Sequence, residues 1–64
     1  MMVKAKDLKI GQVINIEYGD YDNWVKFEVD GVSTSGNSTD VLCHRDSICN
    51  EFTWKADNLV EVVS

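Results

Sequence analysis

The most regular stretch of the sequence is Trp24-Val25-Lys26-Phe27-Glu28-Val29-Asp30. Its apolar residues Val25, Phe27 and Val29 alternate with charged residues, which places the two kinds of side chain on opposite faces of an extended chain. A period of two is typical of a β-strand with one buried face. The stretch therefore predicts a strand at 24–30 and a fold built from strands around it.

Weaker alternation continues on both sides of this segment. Asp30-Gly31 predicts a bend or a bulge after which Val32 resumes the strand, and Gly36-Asn37 predicts a hairpin tip. Asp7 to Gly11 predicts a compact turn in which Gly11 takes a positive φ. Further strands are predicted at 3–6, 12–18, 39–44, 48–54 and 59–63.

The composition agrees with a sheet. The chain has nine valines and four isoleucines against two alanines and three leucines, a balance that suits pleated strands better than helices. Its 64 residues suffice for one small domain, 1–64, with a thin core. One 3₁₀ turn is predicted at 55–58, before the last strand. The predicted core consists of Ile14, Ile16, Val25, Phe27, Val29, Val41, Phe52, Val60 and Val62.

This layout resembles the SH3-like barrels. The resemblance is carried by the turn at 7–11, the alternation at 24–30 and the short turn before 59–63. It implies an all-β barrel of five to six short strands over nearly the whole chain. Small size, acidity and strand order also resemble the short accessory proteins of tailed bacteriophages, which implies a phage-encoded modulator of a host protein. The Ala-Leu-Tyr-Asp-Tyr signature and the paired tryptophans of proline-binding SH3 domains are absent, which argues against proline-rich ligands.

The charge balance argues against several partners. Eleven acidic and six basic residues give a formal charge of −5, whereas nucleic-acid binding calls for clustered lysine and arginine. We therefore expect a protein partner with a basic surface. No segment approaches the roughly 20 apolar residues that span a membrane, and the first ten residues lack a signal-peptide pattern. A cytoplasmic protein with reduced cysteines is expected.

Motifs for metal binding or catalysis are incomplete. Cys43, His44 and Cys49 provide three zinc-ligand types without a second ligand pair, and alternation puts Cys43 and His44 on opposite faces of a strand. Asp20 and Asp22 lack the glycine and the glutamate that complete a calcium loop. A small barrel fills its interior with its own side chains and leaves no reaction pocket. We expect no enzyme activity, no metal and no cofactor.

The best candidate site is the loop before the regular strand. Three of the six aromatic residues and two carboxylates fall between positions 18 and 24. Tyrosine and tryptophan are enriched at binding hot spots, and carboxylates steer basic partners. The predicted partner-binding residues are Tyr18, Asp20, Tyr21, Asp22 and Trp24. In the competing structural interpretation, Tyr18 ends a core strand, Trp24 covers the end of the barrel and only Tyr21 is exposed.

The sequence favours a small acidic protein-interaction module that is monomeric or weakly self-associating. Two alternatives remain open. One is a nucleic-acid-binding barrel that stacks bases on Tyr21, Trp24 or Trp54. The other is a structural or assembly subunit that pairs through exposed strand edges.

Overall fold

Six antiparallel strands form one sheet in the computed structural model, which describes residues 1–64. Their order across the sheet is β1-β6-β2-β3-β4-β5, and no ladder joins the edge strands β1 and β5, so the sheet is open. The all-β prediction is confirmed. No helix in the structure has the length and apolarity needed to cross a membrane. The strands are β1 Met2–Lys4, β2 Val13–Glu17, β3 Trp24–Ser35, β4 Ser38–Arg45, β5 Ile48–Lys55 and β6 Leu59–Val62.

Strand β3 joins the two halves of the sheet. Its first part, Trp24 to Glu28, pairs with β2, and its second part, Glu28 to Ser35, pairs with β4. The register shifts between Val29 and Gly31, which confirms the predicted bulge and leaves Asp30 as the extra residue. A bulge bends its strand and increases the local twist. The β3–β4 hairpin then closes at Gly36-Asn37 as predicted, with Gly36 at φ 60°.

The core lies on the inner face of this bent sheet. Ile14, Phe27, Val29, Val41, Val60 and Val62 are buried, as predicted. The predicted core residues Ile16, Val25 and Phe52 are half-buried and pack against that cluster. Sequence reasoning omitted Ala5, Leu8 and Thr39, which are also buried. The Thr39 hydroxyl lies 2.9 Å from that of Thr34, so its burial leaves no polar group unsatisfied.

The position predicted for the 3₁₀ turn is wrong. The 3₁₀ turn is at Ala5–Asp7, where the sequence predicted the end of the opening strand and the start of the turn at 7–11. Strand β5 continues to Lys55, so only three residues remain before β6, and they form a tight turn closed by Asn58 N–H on the carbonyl of Lys55 at 2.9 Å. The carbonyl of Asn58 accepts a hydrogen bond from the Ala5 N–H at 2.8 Å. The turn after β5 thus anchors the 3₁₀ turn.

Phe27 is the largest fully buried side chain, and its replacement tests the assignment of the two sheet faces. We expect Phe27→Ala to lower the free energy of unfolding by about 3–5 kcal/mol, because it opens a cavity that a thin core cannot refill. Urea titration followed by tryptophan fluorescence measures the change. Lys26→Ala, on the outer face of the same strand, is the control and should change stability by less than about 0.5 kcal/mol. Equal midpoints for Phe27→Ala and the parent would mean that the buried face of β3 is misassigned.

Candidate functional site

The β2–β3 loop, residues 18–23, is held by its own polar groups. The Asn23 side chain donates a hydrogen bond from Nδ2 to the carbonyl of Tyr18 at 2.8 Å, and the Tyr18 N–H donates to the carbonyl of Asn23 at 2.9 Å. The Asp22 N–H donates to Oε2 of Glu17 at 2.8 Å. Gly19 and Asp22 take positive φ values of 78° and 62°, which glycine and aspartate tolerate best. The loop therefore presents its tip in a defined conformation.

Tyr18 is 38% exposed, but its ring lies on the inner face. Its ring packs edge-on against Phe27 and Phe52, with centroid distances of 5.6 and 6.1 Å. Phe52 in turn stacks on Trp54 at 5.2 Å with nearly parallel planes. These four aromatic rings form a continuous cluster that extends the core toward β5.

The rest of the predicted loop residues lie in solvent. Tyr21 at the tip is 94% exposed, and Asp20 and Asp22 beside it are exposed as well. No lysine or arginine nitrogen lies within 4.0 Å of either carboxylate. The tip therefore combines one free aromatic ring with two uncompensated negative charges.

Trp24 lies on the outer face, directly opposite Glu17 in the β2–β3 ladder, and is 54% exposed. It lines a groove with a volume of about 320 Å³. The loop tip and this groove are thus connected through residues 17 and 24, at the two ends of the β2–β3 loop. Trp24 does not cover the inner core.

The groove forms where the β2–β6 ladder stops. The two strands pair at Ile14 with Val62 and at Asn15 with Glu61. The next pairs would be Ile16 with Val60 and Glu17 with Leu59, but β6 pairs there only with β1. All four of these residues line the groove, together with Met2, Asn15, Trp24 and Glu61. The groove is therefore a split in the sheet between two strand edges.

Apolar and acidic side chains share the rim of this split. Met2 and Leu59 are each 56% exposed, and they line the groove together with Trp24. Glu17 and Glu61 supply carboxylates, and Oε1 of Glu61 accepts a hydrogen bond from Asn15 Nδ2 at 3.0 Å. An apolar floor with carboxylates at its rim can hold a large apolar group next to a cation.

Of the groove residues, only Trp24 is among the predicted partner-binding residues, and Ile16 and Val60 were predicted as core. Met2 and Leu59 are far from Trp24 in the sequence. Leu59 comes near it through the pairing of β6 with β2, and Met2 through the pairing of β1 with β6. One local signal was available for Leu59: alternation turns Val60 and Val62 inward, which leaves an apolar residue on the outer face at position 59. An apolar residue on the outer face of a strand indicates a surface that can contact a partner.

The two cysteines differ in their surroundings. Cys43 is buried in the core and donates a weak hydrogen bond from Sγ to the carbonyl of Asn50 at 3.6 Å, whereas Cys49 is exposed. Burial, followed by the charges of Asp30 and Cys49, raises the pKa of the Cys43 thiol to about 11. His44 follows Cys43 but bonds to Asp30 outside the core. That hydrogen bond raises the pKa of His44 above its ordinary value.

Thiol labelling tests this difference. At pH 8, three units below a pKa of about 11, roughly one Cys43 in a thousand is a thiolate, and its burial blocks the reagent as well. We expect Ellman's reagent to modify one thiol per folded chain rapidly and two after denaturation. The variant Cys49→Ser should lose the rapid reaction. Two thiols that react equally fast in the folded parent would contradict the burial of Cys43.

The same thiol makes stability depend on alkaline pH. Because the folded-state pKa is raised, the unfolded chain loses the Cys43 proton first, and the stabilisation present below pH 9 is lost as the pH rises toward about 11. We expect the unfolding free energy of the parent to fall more steeply over this range than that of Cys43→Val, which has no thiol to titrate. Urea midpoints at pH 8, 9 and 10 measure the two slopes. Parallel slopes would contradict the raised pKa.

No family model, curated protein or solved structure matches this chain.

Proposed function

We propose that this chain is a small acidic protein-interaction module that binds an extended segment of a partner protein in the groove at Trp24. The observation that carries the proposal is the split between β2 and β6, where half-exposed Trp24, Met2 and Leu59 lie beside Glu17 and Glu61. The exposed loop tip with Asp20, Tyr21 and Asp22 extends the same surface. Tyr18 contributes from the inner face, by holding the base of the loop against Phe27.

The apolar side chains account for the affinity of this surface. Tryptophan and tyrosine dominate binding hot spots because a rigid aromatic ring buries a large area at a small cost in conformational entropy. An extended segment entering the groove meets two strand edges that no ladder joins. Partners that add a strand to such an edge gain main-chain hydrogen bonds, and pockets along the edge select their side chains.

The charges define the partner further. The chain carries −5 overall, and Glu17, Glu61, Asp20 and Asp22 surround the aromatic side chains without a lysine or arginine nitrogen within 4.0 Å. A cationic partner gains attraction during the encounter, whereas an acidic one is repelled. The proposed ligand is therefore a segment with one large apolar side chain flanked by lysine or arginine.

We also propose that the open sheet is a variant of the SH3-like barrel. Strands β2 to β6 follow one another with short connections, and β6 returns to pair with β2. Hydrogen bonds from Ala5 and Lys6 to the turn after β5 bring the two edges of the sheet toward each other. With the resemblance to tailed-phage accessory proteins, this favours a cytoplasmic modulator of a host protein, without enzyme activity.

A nucleic-acid-binding role has less support. Of the three rings proposed to stack on bases, Trp54 already lies parallel to Phe52 at 5.2 Å. Phosphate binding would also have to overcome the net negative charge.

Selection from a random peptide library displayed on an unrelated carrier tests the proposed ligand. We expect the selected peptides to share one large apolar residue flanked by lysine or arginine. Trp24→Ala should weaken the binding of a synthetic selected peptide by about 2 kcal/mol or more, roughly 30-fold, mainly through faster dissociation. Asp20→Asn combined with Asp22→Asn, and separately Glu17→Gln, should slow association and reduce its dependence on salt. Surface plasmon resonance gives both rate constants.

Two matched variants control for nonspecific losses. Ile48→Ala removes a half-exposed apolar residue at the far edge of the sheet, and Glu51→Gln removes an exposed charge on the same strand; both should bind normally. Equal affinity of Trp24→Ala and the parent would reject the groove as the binding site. Selected peptides without basic residues, or tight binding of single-stranded DNA at physiological salt, would reject the proposed partner class.

A further inference from the structure

A second group of polar side chains lies on the outer face at the junction of β3 and β4. Glu28 is directly opposite His44 in the ladder, and Asp30 follows two residues later at the bulge. The Nδ1 atom of His44 lies 2.9 and 2.7 Å from the two carboxylate oxygens of Asp30. One ligand-type atom from each of the three residues lies within 4.8 Å of the other two.

The bulge brings these three side chains together. Val29 pairs with Cys43 and Gly31 with Leu42, so Asp30 between them has no partner residue on β4. An extra residue in one strand re-aims its own side chain. Here the Asp30 carboxylate lies against His44, and a carboxylate oxygen of Glu28, on the residue directly opposite His44, lies within 4.8 Å of a ring nitrogen of that histidine. The three side chains meet because of the β3–β4 register, which places Glu28 opposite His44, and because Asp30 is two residues from Glu28.

The charge of this group is not balanced by the rest of the chain. Neither Glu28 nor Asp30 has a lysine or arginine nitrogen within 4.0 Å, and the lysines that form ion pairs, Lys4 and Lys6, both bind Asp57. A divalent cation would neutralise both carboxylates at once, with the neutral imidazole as its nitrogen ligand.

Although the sequence predicts no metal site, we propose that Glu28, Asp30 and His44 bind one divalent transition-metal ion of the zinc class, with the fourth coordination position open to water. The donor set decides the class of metal. Calcium takes six to eight oxygens and magnesium an octahedron of oxygens, whereas zinc accepts imidazole nitrogen and carboxylate oxygen in a tetrahedron. Three protein ligands with one open position are a recurrent zinc arrangement.

The geometry requires little rearrangement. Zinc bonds of about 2.0–2.1 Å in a tetrahedron place neighbouring ligand atoms about 3.3 Å apart. The atoms of His44 and Asp30 therefore move apart by a few tenths of an ångström from their present 2.7 and 2.9 Å, and Glu28 moves inward. Glu28 and Asp30 are exposed and His44 is partly exposed, so the core does not restrain these shifts.

The bound ion would cross-link β3 to β4 beside the bulge. This site is separate from the groove, because Glu28 lies four residues along β3 from Trp24, roughly 13 Å in an extended strand. Loss of metal binding and loss of peptide binding can therefore be separated by mutation.

Isothermal titration of zinc chloride into the reduced parent, in a buffer that does not chelate metal, tests the site. We expect one zinc ion per chain and at least about tenfold weaker binding for His44→Gln, Asp30→Asn and Glu28→Gln, each of which removes a ligand. Calcium or magnesium chloride at the same concentrations should give no heat of binding. Circular dichroism checks that each variant is folded, and the three separate variants keep the test informative if one of them is not.

Two controls separate this site from other sources of zinc binding. Glu51→Gln removes one exposed carboxylate on the neighbouring strand and should bind zinc within about twofold of the parent. Cys49 lies directly opposite His44 and is a competing ligand, so Cys49→Ser should retain binding with unchanged stoichiometry. Absence of a zinc isotherm in the parent, or normal zinc binding by His44→Gln, would overturn the proposal. The proposal would also be overturned if Cys49→Ser lost zinc binding while Glu28→Gln bound zinc normally.

Discussion

The two ladders of β3 overlap at Glu28, and the rest of the sheet depends on this overlap. Glu28 is paired with Val13 of β2 and with His44 of β4, while Val29 exchanges backbone hydrogen bonds of 2.9 Å with Gly11 and Gln12. A slip of one residue in either ladder would turn Phe27 and Val29 toward solvent. The register of both halves is therefore fixed by the requirement that these side chains stay buried.

Local alternation was enough to predict strands β2 to β6 and the inner face, because the period of two is a property of neighbouring residues. The bulge at Asp30 and the tip at Gly36 also carry local signals. The 3₁₀ turn could not be placed this way, because Ala5 is held by the carbonyl of Asn58, more than fifty positions away. The role of Tyr18 could not be predicted either, because a tyrosine suits a binding loop and a core equally well.

The two candidate sites on the outer face were harder to predict because each combines segments that are distant in the sequence. Leu59 lines the groove because the β2–β6 ladder stops after Asn15. The sequence around Asn15 and Leu59 contains no signal that the ladder stops there. In the sequence, His44 is close to Cys43 and Cys49, which suggests a shared metal site. Its side chain instead contacts Asp30, fourteen positions away. Sequence spacing identifies donors on one strand, whereas strand pairing decides which donors meet.

Glu17 links the loop to the groove through a single carboxylate. Its Oε2 atom accepts the hydrogen bond from the Asp22 N–H that closes the loop, and the same side chain lines the groove beside Trp24. A lysine or arginine of a partner that takes this carboxylate competes with the loop for it. Binding of a partner segment in the groove would then replace the hydrogen bond between Glu17 and the Asp22 N–H. The loop tip would become more flexible when the groove is occupied.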